Sequence, residues 1–282
     1  MRLLIIAPEL YPVPSRKGTS VETCIYQIAS RFAKRHHVTV LCKRGSGLPR
    51  KTVRGKLHIV RVRGGSKSKY LSSVIRWMKG KTFDYIQVDN RPDFLKKIKK
   101  RFPNTPVSLF LHSLTYVTPP KASTRAVRSQ LPHATVIVAN SHSLKRQLSA
   151  RFPKAARKIK VVHLGVDIAK FRPPSSAERR KIRTKFHAKG SYSIVYAGRF
   201  IPLKGLPVLV KAAELVRKQI PKTKLYLVGG GRKSYVSYVK KLAKRAKVPV
   251  RFVGKVSGKS MPKVYWLADC FVCPTQGHES FG

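Results

Sequence analysis

Short apolar runs of strand type alternate along this chain with stretches in which apolar residues return every three or four positions, and the alternation continues from one end to the other. That rhythm predicts an α/β class: parallel, doubly wound sheets with helices on both faces. Strands are predicted at Leu3 to Ala7, Val38 to Cys42, Leu57 to Val62, Tyr85 to Val88, Val107 to Leu111, Thr135 to Ala139 and Lys160 to His163. Between most of them lies a helical pattern. In the first helix Ile25, Ile28, Ala29 and Phe32 stand at i, i+3, i+4 and i+7, which predicts one buried stripe.

The periodicity stops at Gly165-Val-Asp-Ile-Ala-Lys-Phe-Arg-Pro-Pro-Ser-Ser, which reads as a connection between domains. A second series on the same plan follows, with strands at Ser193 to Ala197, Lys224 to Val228, Val250 to Val253 and Cys270 to Cys273, and a helix from Leu206 to about Ile220. Two Rossmann-like domains are therefore expected, 1–168 and 169–282. The second is short and stops soon after a strand, so it is expected to be incomplete, the chain being truncated at its C-terminal side.

With 282 residues, 42% of them apolar, there is material for two packed cores. The opening Met-Arg-Leu-Leu-Ile-Ile-Ala is too short for a signal peptide, and nothing approaches the roughly 18 apolar residues of a membrane span. The expected place is the cytoplasm, with any membrane contact peripheral, at the inner face. Cys24, Cys42, Cys270 and Cys273 are too few and too scattered for a disulfide framework. The last two read as small buried strand residues rather than half of a zinc site.

Charge changes the picture more. Lys and Arg number 61 against 10 Asp and Glu, a formal net charge of +51. Such a surface attracts polyanions, among them nucleic acid, anionic lipid and anionic polymers. The basic residues run through the whole chain without a nucleic-acid reading motif, which argues against specific nucleic-acid binding.

Ligands of open αβ sheets bind at the C-terminal ends of the strands, so the loops after strands are where chemistry is expected. In Gly198-Arg199-Phe-Ile-Pro-Leu-Lys204-Gly205 two cations precede a helix N-terminus, an arrangement able to clamp a diphosphate. The loop ending at Gly18 also leads into a helix. Gly229-Gly230-Gly-Arg does not complete a G-x-G-x-x-G pattern, and it is left open between a turn beside a nucleotide and a plain turn. His112 closes a strand and is open between a structural and a site role. Glu279 follows the last strand as the single carboxylate on a post-strand loop of the second domain. No D-x-D pair is present, so no metal is expected, and Arg199 and Lys204 would neutralise a leaving diphosphate.

Ala-Gly-Arg199-x4-Lys204-Gly, Glu279-Ser-Phe-Gly, Asn140-Ser and Gly165-Val-Asp167 together resemble the family 4 glycosyltransferases of the GT-B fold, over the whole chain. Pro12-Val-Pro-Ser-Arg-Lys-Gly18, Asn90-Arg-Pro and Ser149-Ala-Arg-Phe-Pro153 are similar to the bacterial spore coat protein SA type within it. The resemblance implies two domains facing a cleft and a retaining, metal-independent transfer of a hexosyl group from a nucleotide-diphosphate sugar, with a UDP-sugar the expected donor and no bound cofactor. The implied acceptor is a glycan or lipid-linked molecule of the envelope or spore coat. It places Arg199 and Lys204 on the donor diphosphate, Glu279 on the donor sugar, Gly18 and the Gly229-Gly230 turn beside phosphate, and His112 facing the sugar. Two departures stand out: Thr19 takes the place of a second glycine in the first loop, and the second glutamate of the family's E-x7-E pattern would lie beyond Gly282. Weak or absent turnover of this chain is expected on that count. The rival expectation is a noncatalytic cationic platform or coat-assembly protein for anionic polymer or membrane.

Overall fold

The computed structural model describes residues 1–15 and 20–277. Two compact units account for them, Met1–Leu164 and Gly165 onward. The division falls four residues before the expected 168/169 boundary. The connecting segment is bound to the second unit: Trp266 Nε1 donates to the Arg172 carbonyl at 2.9 Å, and the Arg172 guanidinium pairs with Glu178 at 2.7 Å.

In the first unit the chain runs β1 (Arg2–Ile6), α1 (Ser20–Phe32), β2 (His37–Lys43), β3 (Lys51–Arg54), β4 (Leu57–Val62), α2 (Lys67–Met78), β5 (Tyr85–Asp89), α3 (Leu95–Arg101), β6 (Val107–Leu111), α4 (Thr124–Gln130), β7 (Val136–Ala139), α5 (His142–Arg151) and β8 (Ile159–Val161). Among the described residues these strands form one eight-stranded sheet in the order β3-β4-β2-β1-β5-β6-β7-β8. All neighbours are parallel except β3 and β4, which pair antiparallel. The order reverses at β1, which lies between β2 and β5, with Leu3 in register with both Val38 and Tyr85.

Pleat alternation explains why both faces need helices. Leu4 and Ile6 of β1 pack with Tyr70, Leu71, Val74 and Met78 of α2, whereas Ile5 and Ala7 pack with Ile25 and Ala29 of α1. The stripe predicted for α1 is corrected at one end. Phe32 is 49% exposed, and the turn before Ile25 buries Glu22 on the core side instead.

The second unit contains α6 (Ser176–Lys185), β9 (Tyr192–Phe200), α7 (Leu206–Gln219), β10 (Thr223–Gly231), α8 (Lys233–Arg245), β11 (Val250–Gly254), α9 (Met261–Leu267) and β12 (Cys270–Phe271). Its described strands make a parallel sheet in the order β11-β10-β9-β12. Leu206, Leu209, Val210 and Ala213 of α7 cover one face, and Ile182 of α6 with Val264 and Leu267 of α9 cover the other. Ser175 starts α6 with a capping box, its hydroxyl accepting from the Glu178 amide while the Glu178 carboxylate accepts from the Ser175 amide.

Two further expectations are corrected here. Cys270 is half-buried and Cys273 exposed, because the strand ends at Phe271. The glycine run after Val228 is no turn but the end of β10, with Gly229, Gly230 and Gly231 in register with Gly198, Arg199 and Phe200.

Candidate functional site

In the first unit the reversal of strand order leaves a crevice at the C-terminal ends of β1 and β5, where open αβ sheets place ligands. Four of the buried polar residues of this unit, Asp89, Asn90, Arg91 and Asn140, gather there. Asp89 ends β5 with no solvent exposure, and its Oδ1 lies 2.8 Å from His112 Nε2 just beyond β6. Its other oxygen accepts from Gln87 Nε2 at 2.9 Å. A carboxylate that can only accept sets the imidazole tautomer, so Nε2 carries the proton and Nδ1 is left as the ring's other polar atom. The ring also stacks on Phe110 with centroids 4.4 Å apart.

The neighbouring loops hold His112 by its backbone as well. Its amide donates to Asn90 Oδ1 at 2.9 Å, and its carbonyl accepts from Asn140 Nδ2 at 3.1 Å. Asn90 adopts φ 54°, a left-handed conformation that asparagine tolerates better than most residues. The turn sends Arg91 back toward β1. There its guanidinium, 2% exposed, forms a two-pronged pair with Glu9, Nε to Oε2 at 2.6 Å and Nη2 to Oε1 at 2.9 Å. A buried cation needs such a partner. Tyr116 covers the guanidinium face, with the ring centroid 3.8 Å away.

In the second unit Arg199 and Lys204 flank the passage from β9 to α7. Arg199 was expected on a loop; it lies instead in the last turn of pleat of β9, exposed, with its carbonyl accepting from the Tyr196 hydroxyl at 2.8 Å. Lys204 ends a single 3-10 turn, Pro202–Lys204, and Gly205 then adopts φ 66° to open α7. The loop after β12 rests against this passage. Gln276 donates its amide to the Leu203 carbonyl at 3.0 Å, and Lys204 Nζ lies 3.5 Å from Thr275 Oγ1. A Cβ on Gly205 would stand 2.0 Å from the Pro274 carbonyl oxygen, so only glycine allows the two loops to meet.

Partial burial pulls the Lys204 ammonium below its ordinary pKa, and the positive charge of Arg199 pulls it further; the Cys273 thiol acts in the opposite direction. Two cations are thus held within mutual repulsion at the start of a helix, where an anion would be stabilised by both and by the unpaired amides of α7. Arg199 has no carboxylate partner among the described residues.

Gly229 and Gly231 serve the backbone. A Cβ would come within 1.8 Å of the Gly198 carbonyl oxygen at Gly229, and within 2.1 Å of the Phe200 carbonyl oxygen at Gly231. Gly230 is different: its nearest neighbour would be the Lys255 side chain at 3.4 Å. Gly18 and Glu279 lie outside the described residues. Among the described residues no three His, Cys, Asp or Glu side chains gather as a metal set would, and no helix is long and apolar enough to cross a membrane.

The family model described as Glycosyltransferase Family 4 matches residues 21–170, more than half of the chain, and that described as Glycosyl transferases group 1 matches residues 178–282. The chain belongs to Glycosyltransferase Family 4. It is 27% identical over 289 residues to "Putative glycosyltransferase YtcC" of Bacillus subtilis strain 168, covering 99% of this chain and 70% of that protein. With "Spore coat protein SA" of the same strain it again shares 27% over 289 residues, covering 99% and 76%. Among solved structures, Anabaena Alr3699/HepE in complex with UDP superposes with a TM-score of 0.75 at 19% identity, over 100% of this chain and 76% of that one. The fold is thus GT-B, with two Rossmann-like domains, and the protein is a glycosyltransferase.

Sequence reasoning passed over Asp89 and the Glu9–Arg91 pair. Asp89 carried a usable signal, since it closes the apolar strand Tyr85–Val88 as one of only 10 carboxylates in the chain. Glu9 and Arg91 are 82 residues apart and share no local pattern.

Proposed function

We propose that this glycosyltransferase moves a hexosyl group from a UDP-sugar to a glycan or lipid-linked acceptor of the cell envelope or spore coat, with retained anomeric configuration and no bound metal. The observation that carries the reading is the placement of Arg199 at the end of β9 and of Lys204 one residue before the Gly205 cap of α7, with the charge of Arg199 lowering the Lys204 pKa. A departing nucleoside diphosphate gathers negative charge as the bond from the sugar C1 to the phosphate oxygen breaks. Preorganised cations stabilise that charge without reorganising at the moment of reaction, the part a metal plays elsewhere. The electron pair goes to the phosphate oxygen, the acceptor oxygen bonds C1 on the same face, and the acceptor's proton passes to that phosphate oxygen. No side chain need serve as nucleophile, and catalysis is positioning plus charge neutralisation.

His112, oriented by Asp89, is assigned to the sugar, with Glu279 on the donor and Gly18 beside phosphate. Gly229 and Gly231 let β10 approach the strand that carries Arg199, with Gly230 in register with Arg199. The UDP bound by the Anabaena structure supports uracil as the base, and the spore coat relative supports an acceptor of the spore coat. The test is incubation with a panel of nucleotide sugars, with and without EDTA, followed by chromatography of the nucleotide and NMR of the product linkage. UDP release, retained configuration and a rate indifferent to EDTA are expected. An inverted product or a rate abolished by EDTA contradicts the reading.

A further inference from the structure

The first unit carries a second feature along β1, β2 and β4, on the face that α2 covers in part. Tyr70, Leu71, Val74 and Met78 of α2 pack with the later parts of the strands, at Leu4, Ile6, Leu41 and Val62. The beginnings of the same strands, on the same face, carry Arg2, His37, Thr39 and His58 and are left without a covering helix. Between them and the flank of α2 runs a groove of about 1050 Å³.

Cations stand on both banks. Arg76 and Lys81 lie on the helix side, and Arg44, Arg50, Lys51 and Arg63 on the strand side, while no Asp or Glu is among the lining residues. None of these six pairs with a carboxylate among the described residues; Arg2, at the groove's end, is held by Asp84 at 3.4 Å. Apolar Val60, Val62 and Trp77 line the groove together with His37, Thr39 and His58. Trp77 stacks on Phe83 with centroids 6.4 Å apart, and Lys81 Nζ sits 4.8 Å over its ring.

Like charges that line one concave surface without a carboxylate repel, and a bound polyanion relieves the repulsion while releasing counterions. The shape selects among polyanions. A bilayer is flat and would reach the banks alone, and a single phosphate would meet a few of the cations. A flexible single chain with charge at every repeat can lie along the groove and engage both banks. The groove is distinct from the site that holds His112: none of Glu9, Asp89, Arg91 and His112 is among its lining residues.

We propose that this groove is a binding site for an extended, single-chain phosphate polymer. The inference does not depend on the proposed donor chemistry. The chemistry required is a phosphate at every repeat and no nucleobase, and inorganic polyphosphate is the occupant to which the proposal commits; nucleic acid and anionic bilayers are the alternatives.

The test uses the full chain with Trp266→Phe, which leaves Trp77 as the sole tryptophan and reporter. Titration with inorganic polyphosphate is expected to change Trp77 fluorescence saturably. A variant with Arg50, Lys51, Arg76 and Lys81 all changed to Ser is expected to bind at least about 30-fold more weakly near 150 mM salt, with the log–log salt slope reduced by about 3. A control with Lys233, Lys241, Lys244 and Arg245 of α8 changed to Ser should lose less than about threefold. Equal losses in the two variants would show diffuse attraction and overturn the proposal. So would a silent Trp77, or tighter binding to phosphatidylglycerol vesicles or single-stranded oligonucleotides at matched phosphate. Matching unfolding midpoints for both variants exclude misfolding as the cause.

Discussion

Asp89 and His112 are joined at 2.8 Å between a carboxylate with no solvent exposure and the Nε2 of a ring stacked on Phe110. The pair fixes both the tautomer and the plane of the imidazole. Asp89→Asn keeps the volume but can turn a donor toward Nε2, so a loss of about 1–3 kcal/mol in unfolding free energy is expected. Asp89→Ala, which leaves Gln87 and His112 without their acceptor, should cost more. If the pair positions His112 for the sugar, Asp89→Asn lowers kcat more than it raises KM; denaturant unfolding and steady-state kinetics on one preparation read both effects.

The three glycines ending β10 should respond unequally. Gly229 combines φ 137° with a carbonyl oxygen 1.8 Å from any added Cβ, and Gly231 faces one at 2.1 Å. Alanine at either is expected to destabilise by about 2 kcal/mol or more, since backbone must move. Gly230→Ala meets only a flexible lysine and should unfold within about 0.5 kcal/mol of the parent. Thermal melts of the three variants check the order.

Acid should weaken the second unit through Glu178. The Arg172 guanidinium, followed by the Ser175 amide, lowers its pKa from 4.5 to about 2. A folded-state pKa below the unfolded one gives stability that is present above about 4.5 and lost as pH falls through about 2. The melting-temperature gap between the parent and Glu178→Gln is therefore expected to hold at neutral pH, shrink below about 4.5 and close near 2.

Much of the fold was legible because burial on both faces writes continuous apolar runs, and β4 and β6 occupy the predicted Leu57–Val62 and Val107–Leu111. Lys51–Arg54 escaped notice: the edge strand Lys-Thr-Val-Arg is short and largely exposed, and no buried face imprints an alternation on it. The glycine run was misread because glycine signals equally a turn and a close approach of two backbones, and only the partner strand distinguishes them. Cys273 was taken as buried on the assumption that the strand continued past Phe271. The position of Lys204 just before a helix was legible, whereas Arg199 falls on the strand rather than the loop, and the buried pairs Asp89–His112 and Glu9–Arg91 join residues far apart in sequence.

Lys204 predicts an alkaline limit to donor binding. Its partial burial, then the charge of Arg199, lowers its pKa from 10.5. The cationic form is the one that meets phosphate, so UDP affinity should fall with rising pH along a limb centred below 10.5. Arg199→Gln removes the like charge and should move that limb upward while weakening affinity at neutral pH. Titration of UDP between pH 7 and 10.5 in both proteins measures the displacement.

Calorimetric titration of UDP into the parent chain, Arg199→Ala, Lys204→Ala and the double variant tests the central claim most directly. Each single change is expected to weaken binding at least about tenfold and the double change at least about a hundredfold, the size of lost charge-assisted contacts, with melting temperatures unchanged. Affinities within twofold of the parent in all three variants would contradict the assignment of these two cations to the donor diphosphate.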